Sequence, residues 1–145
     1  MMKYALLLST ICFSLSSHAQ EKGQNEPKTF KMAPMPGQND SITMKQYYFV
    51  MLTKGSDRDK ITDKSVIEKL QQGHLANITK LAKEGKILVA GPFGDDGNWR
   101  GIFIFNNCSS KEEVESLLNS DPMIKAGRLS YEVHPWWTGM NCVFK

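Results

Sequence analysis

The chain has 145 residues, 41% of them hydrophobic and 23% charged, which fits one globular domain and excludes a collagen-like, coiled-coil or wholly disordered chain. Eighteen Lys and Arg against 15 Asp and Glu leave a formal charge of +3, much of it in pairs of opposite sign. A balance this close offers no concentrated basic face for nucleic acid, and no repeat of solenoid length is visible.

Met1–Ala19 reads as a secretory leader. Lys3 supplies a positive start, Tyr4–Leu15 an apolar run, and Ser17 and Ala19 the small residues before a cut after Ala19. The run falls short of the ~20 apolar residues that span a bilayer. A lipoprotein reading of Cys12 meets no small residue next to the Cys, so we expect soluble export, periplasmic or secreted, with no membrane contact after cleavage. Two cysteines then remain, Cys108 and Cys142, either paired or as separate thiols. Neither sits beside a His that would activate it.

From Gln20 to Met44 the chain is polar, lacks a sustained period and carries three prolines, which predicts a flexible arm. The domain is expected from Lys45 to Lys145. Gln46–Thr53 is aromatic and β-branched, hence a strand, closed by Gly55. Ser65 and Glu68 have capping-box spacing for a helix that runs to about Glu84, with Gly85 as its left-handed stop. Lys86–Ala90 and Trp99–Phe105 read as two strands of a hairpin, joined through the turn-rich Gly94–Asn98. Ser109 and Ser110, three before Glu112 and Glu113, open a second helix. Leu129, Tyr131 and Val133 alternate with polar residues as a last, half-buried strand.

The order βαββαβ predicts an α+β, ferredoxin-like fold: an antiparallel sheet with both helices on one face. The other face, carrying Tyr47, Phe49, Ile102 and Ile104 or their neighbours, would be left bare. Self-association across it into a homodimer, with a cavity enclosed between two sheets, is the expected remedy.

Three features are candidates for chemistry. His74 shares a helical stripe with Ile67, Leu70, Ile78 and Leu81, as either a satisfied core histidine or an acid–base group. Gly73 beside it costs the helix about 1 kcal/mol, which implies a close approach there. Asp121-Pro122 reads as an N-cap with a proline in the first turn, although a capping carboxylate has a second oxygen that can orient an imidazole. Gly91-Pro92-Phe93 fits either a strand end or a backbone that lets a ligand come close. His134, Trp136 and Trp137 suit a pocket wall, a dimer contact or a ligand platform. Metal binding has little support: the two histidines left after cleavage, His74 and His134, are far apart in sequence, with no metal-ligand spacing. Phosphate-loop, dinucleotide and serine-nucleophile motifs are absent, and no cofactor is expected.

Gly73-His74-Leu75, Ala90-Gly91-Pro92-Phe93, Gly101-Ile102, Ser110-Lys111-Glu112-Glu113, Asp121-Pro122-Met123 and Ala126-Gly127, in that order, resemble the YciI-like (YCII-related) family over residues 46–137. The resemblance implies a ferredoxin-like dimeric α+β barrel and an acid–base pair that corresponds here to His74 and Asp121. One relative type is a dehydrochlorinase acting on a chlorinated hydroxyhydroquinone. The export leader, the arm before Lys45 and the tail after Trp137 depart from the family pattern. The expected function is therefore a small-molecule enzyme of lyase, dehydrochlorinase or isomerase type, with Gly91, Pro92 and Phe93 shaping its substrate pocket. The rival is a non-catalytic dimeric module that binds a ligand.

Overall fold

A computed structural model describes residues 28–37 and 39–140. The expected leader with Cys12, residues 20–27 of the expected arm, and Cys142 lie outside the described residues.

The sheet is organised around β2 (Ile42–Lys54), which is paired along both edges. On one edge lies β5 (Leu129–Gly139), antiparallel, with Val50 opposite Val133. On the other lies β4 (Trp99–Phe105), with Phe49 opposite Ile104, and β3 (Ile87–Pro92) follows outside it. The spatial order β5-β2-β4-β3, with helices between β2 and β3 and between β4 and β5, is the ferredoxin-like arrangement. Every neighbouring pair is antiparallel, and β3 and β4 form the expected hairpin.

Two features of the expected arm are revised. Thr29–Met32 is a strand, β1, with Thr29 opposite Lys45 and Met32 opposite Ile42, and β2 begins at Ile42 instead of near Lys45. The reason is pairing. β4 meets β2 only between Tyr48 and Thr53, which leaves that edge of β2 free below Tyr48, and β1 takes it up.

Helix α1 (Lys64–Lys83) starts at Asp63, not at the expected Ser65–Glu68 box. Asp63 Oδ1 accepts from the backbone N–H of Ser65 at 2.8 Å and of Val66 at 3.3 Å, so a carboxylate occupies the positive end of the helix. At the other end Gly85 takes φ +70°, the Lys86 N–H reaches the Leu81 carbonyl, and the Gly85 N–H reaches Ala82. That is the Schellman stop. Helix α2 (Lys111–Leu118) is capped by Ser110, and the short α3 (Pro122–Lys125) by Asp121.

The period-two alternation of β2 places Tyr48, Val50 and Leu52 on the helix-covered face with Phe103, Phe105 and Val133. Leu81 of α1, Val114 and Leu118 of α2, and Met123 of α3 close the core over them. Val50 and Phe105 are fully buried, so truncating Phe105 to Ala costs about 3–5 kcal/mol. The opposite face is less bare than its alternation predicts: Tyr47 and Ile104 are buried, and Phe49 and Ile102 are half-buried. The exposed aromatics are instead Phe30, Phe93, Trp99, Trp136 and Trp137.

Candidate active site

His74 projects from α1 into the layer between that helix and the sheet. It and Leu81 are the buried residues of α1, and its ring lies 6.2 Å from that of Phe103 on β4. A buried imidazole needs a partner. It has one. His74 Nδ1 is 2.8 Å from Oδ2 of Asp121, which lies 47 positions away at the start of α3.

Asp121 is 2% exposed, and both its oxygens are engaged. Oδ1 accepts the Met123 N–H at 2.8 Å, which is the expected N-cap of α3, with Pro122 in the first turn. Oδ2 accepts from His74 and, at 3.3 Å, from Asn77 Nδ2 one turn further along α1. Asn77 Oδ1 in turn accepts from Ser120 Oγ at 3.2 Å. Burial pushes the Asp121 carboxyl up, but the hydrogen bonds and charge of His74, with those from Met123 and Asn77, outweigh it. The carboxyl therefore lies below its ordinary value and stays ionised at neutral pH. An ionised carboxylate only accepts, so the His74 proton sits on Nδ1. Nε2 is left as the basic nitrogen, and none of the described residues hydrogen-bonds it.

Gly73 is explained by the same contact. A Cβ there would come within 2.8 Å of Pro122 Cγ, so the missing side chain lets α3 lie close against α1. The close approach is thus the neighbouring helix itself, one residue along from the pair in both segments.

His74 lines a cavity of about 310 Å³, bounded by α1, the β3–β4 hairpin and the segment after β2. This volume suits a small organic molecule. The lining includes Leu52, Phe103 and Met123 from the core and Gln71, Leu75 and Ile78 from α1. This cavity lies between the helices and the sheet of one chain, distinct from the cavity between two sheets expected of a homodimer.

Gly91 and Pro92 line it, whereas Phe93 does not. Phe93 stacks at 6.3 Å on Trp99 over a separate shallow hollow at the hairpin tip. Nothing lies within 4 Å of where a Gly91 Cβ would stand, while a Cβ at Gly101 would strike the Gly91 carbonyl at 2.5 Å. In this hairpin the packing constraint falls on Gly101. His134 is exposed, 3.6 Å from Glu132, and stands apart from the cavity. Cys108 hydrogen-bonds the Asn106 carbonyl, and burial, offset in part by Lys86, pushes its thiol up to about 11. It is no nucleophile at neutral pH.

Sequence reasoning missed two cavity residues, Arg58 and Arg100. Arg58 lies in the charged stretch after β2, where it reads as a solvated loop residue, and Arg100 lies in β4, where it reads as an ordinary strand position. Only the fold brings them to one cavity.

The sequence profile of the YCII-related domain matches residues 48–137, more than half of the chain. The chain belongs to the YCII-related family. The matched stretch of this YCII-related protein runs from Tyr48 in β2 to Trp137 in β5, so it contains His74, Asp121 and the cavity. No curated protein sequence matches the chain. Among solved structures, it is similar to 5-chloro-2-hydroxyhydroquinone dehydrochlorinase (TftG) from Burkholderia phenoliruptrix AC1100, determined in complex with 2,5-dihydroxybenzoquinone. The identity is 25%, over 61% of this chain and 92% of that one, with a TM-score of 0.43.

Proposed function

We propose that this YCII-related protein is a metal-independent small-molecule enzyme in which His74 and Asp121 act as an acid–base pair. One observation carries the reading: the 2.8 Å bond from His74 Nδ1–H to an ionised, buried Asp121, on a residue that lines a ligand-sized cavity. His74 Nε2 takes a proton from an acidic C–H of the substrate. Asp121 holds the ring in the required tautomer and stabilises the imidazolium that forms. The electron pair left on carbon then forms a double bond and expels a leaving group from the neighbouring carbon, with net loss of HX, as in a lyase or dehydrochlorinase. If His74 instead returns the proton at another carbon, the reaction is an isomerisation. Positioned proton transfer is worth about 10²–10⁴ in rate, enough for an activated substrate.

The test is turnover of halogenated and hydroxylated carbonyl compounds with an acidic C–H by the wild type and by H74N. Loss of turnover in a folded H74N that still binds ligand supports the reading. Undiminished turnover in H74N overturns it. A wild type that turns over none of them, yet is raised in Tm by one, supports the non-catalytic ligand-binding module in its place.

Export and self-association belong to the same proposal. The Met1–Ala19 leader supports the first, and the exposed Phe30, Trp136 and Trp137 support a homodimer. N-terminal sequencing of the exported protein tests one, with Gln20 as the expected first residue. Light scattering of the purified protein tests the other.

A further inference from the structure

The cavity carries an imbalance of charge that the His74–Asp121 pair does not use. Two guanidinium groups, Arg58 and Arg100, line it together with His74, and no Asp or Glu is among the lining residues. Asp121 stands behind His74 and outside the lining.

Neither arginine has a buried carboxylate partner among the described residues. Arg58 makes a single long hydrogen bond, from Nη1 to the Arg128 carbonyl at 3.4 Å, and forms no ion pair among the described residues. Arg100 donates from Nη1 to the Asp95 and Gly97 carbonyls at 3.1 and 3.4 Å. Its carboxylate neighbour, Asp96, is 3.8 Å away and fully exposed, where an ion pair is worth little. Arg100 itself is only 19% exposed. The Arg58 guanidinium is also partly desolvated and lies in the field of Arg100 and Arg128, and these lower its pKa against the opposing pull of the exposed Asp59 and Asp96. Like charges gathered in a partly dry cavity repel one another, and an anion placed between them relieves that cost. Guanidinium groups fit oxyanions because their N–H groups form a planar fork.

We propose that the cavity takes a small organic anion whose carboxylate or enolate oxygens are held by Arg58 and Arg100, with the carbon that exchanges a proton directed to His74. This rests on reading the cavity as the reaction site. It adds the substrate class and assigns two positions to binding. The arrangement also suits the chemistry: as His74 removes a proton, negative charge develops on the substrate, and fixed guanidinium groups stabilise that charge without reorganising.

Binding decides the matter without turnover. The full chain is titrated calorimetrically with benzoate, with its neutral isostere benzamide, and with inorganic phosphate, in the wild type, R58Q, R100Q and H74N. Benzoate is expected to bind the wild type at least tenfold more tightly than benzamide, and R58Q and R100Q to lose at least tenfold in benzoate affinity. Arg100 also tethers the hairpin, so if R100Q fails to fold, R58Q alone decides, because the Arg58 guanidinium makes only the one long bond and its backbone bonds survive the substitution. Equal affinity for benzamide, undiminished benzoate binding in folded R58Q, or binding of phosphate but not benzoate overturns the proposal. H74N separates the two claims. It is expected to keep benzoate affinity, and if it also keeps turnover, the acid–base reading fails while the anion site stands.

Discussion

Replacing Asp121 with Asn tests the central pair while keeping its shape. The amide oxygen can still cap α3 by accepting the Met123 N–H now 2.8 Å from Oδ1. The amide NH₂ then takes the place of Oδ2 and points donors at His74 Nδ1 and Asn77 Nδ2, which now lie at 2.8 and 3.3 Å. His74 can respond only by moving its proton to Nε2, so that Nδ1 accepts; Asn77 loses its acceptor. Asp121 is 2% exposed, and water cannot replace what is lost. A hydrogen bond to a charged group contributes about 1.5–3 kcal/mol. We therefore expect D121N to be destabilised by about 2 kcal/mol at pH 7, a fall in Tm of about 8–10 °C for a domain of this size. The folded Asp121 pKa lies below its unfolded value, so the stabilisation is present above the ordinary carboxylate range and is lost as pH falls through the folded pKa. The gap between wild type and D121N should therefore narrow in acid. Side-chain ¹⁵N NMR of His74 should show the proton on Nδ1 in the wild type and on Nε2 in D121N, with turnover down by about 10²–10⁴. A variant with wild-type Tm and an unchanged tautomer would refute the reasoning.

Three more outcomes follow from other contacts. G73A should lower Tm even though Ala favours a helix by about 1 kcal/mol, because the new Cβ meets Pro122 Cγ at 2.8 Å and overpacking costs about 1–3 kcal/mol; a more stable G73A would contradict the packing argument. Burial pushes the Glu113 carboxyl up, but the hydrogen bonds from Lys86 and Ser109 prevail and hold it at about 2 against an ordinary 4.5. Its contribution is then complete above pH 4.5 and is lost towards pH 2. E113Q should cost about 1–2 kcal/mol at pH 7 and much less in acid, read by urea titration at both ends of that window. In a C142S background, Cys108 should react with Ellman's reagent slowly when folded and fully when denatured; fast labelling of the folded protein would show that the thiol is not held up by burial.

Elements whose signals are local were legible in the sequence. β4 occupies Trp99–Phe105 as the hairpin reading predicts, α1 stops at Gly85, and Asp121-Pro122 caps α3. The His74 and Asp121 candidates could be named from stripe position and cap chemistry, but their meeting could not, because it depends on how α3 packs on α1. Asp63 displaced Ser65 as a cap because its carboxylate accepts the Ser65 and Val66 amides, which starts the helix two residues earlier. β1 has only four residues, too few for periodicity to register, and is a strand because the β2 edge beside it is unpaired below Tyr48. Arg58 and Arg100 carry no local sign of a shared cavity, since each looks like an ordinary charged residue of its own segment.

The two adjacent pairs, Gly73-His74 and Asp121-Pro122, join helix packing to chemistry. Gly73 removes the bulk that would hold Pro122 away, and the approach that results carries Asp121 to within 2.8 Å of His74. One carboxylate then divides its oxygens: Oδ1 fixes where α3 begins, and Oδ2 fixes which nitrogen of the imidazole is basic. Because the cap and the orienter are the same residue, a change of charge at Asp121 acts on both the anchoring of α3 and the tautomer of His74. Substitutions at Asp121 must therefore move stability and chemistry together, whereas the Arg58 guanidinium, held by one long bond, can be replaced to alter binding while the fold stays as it is.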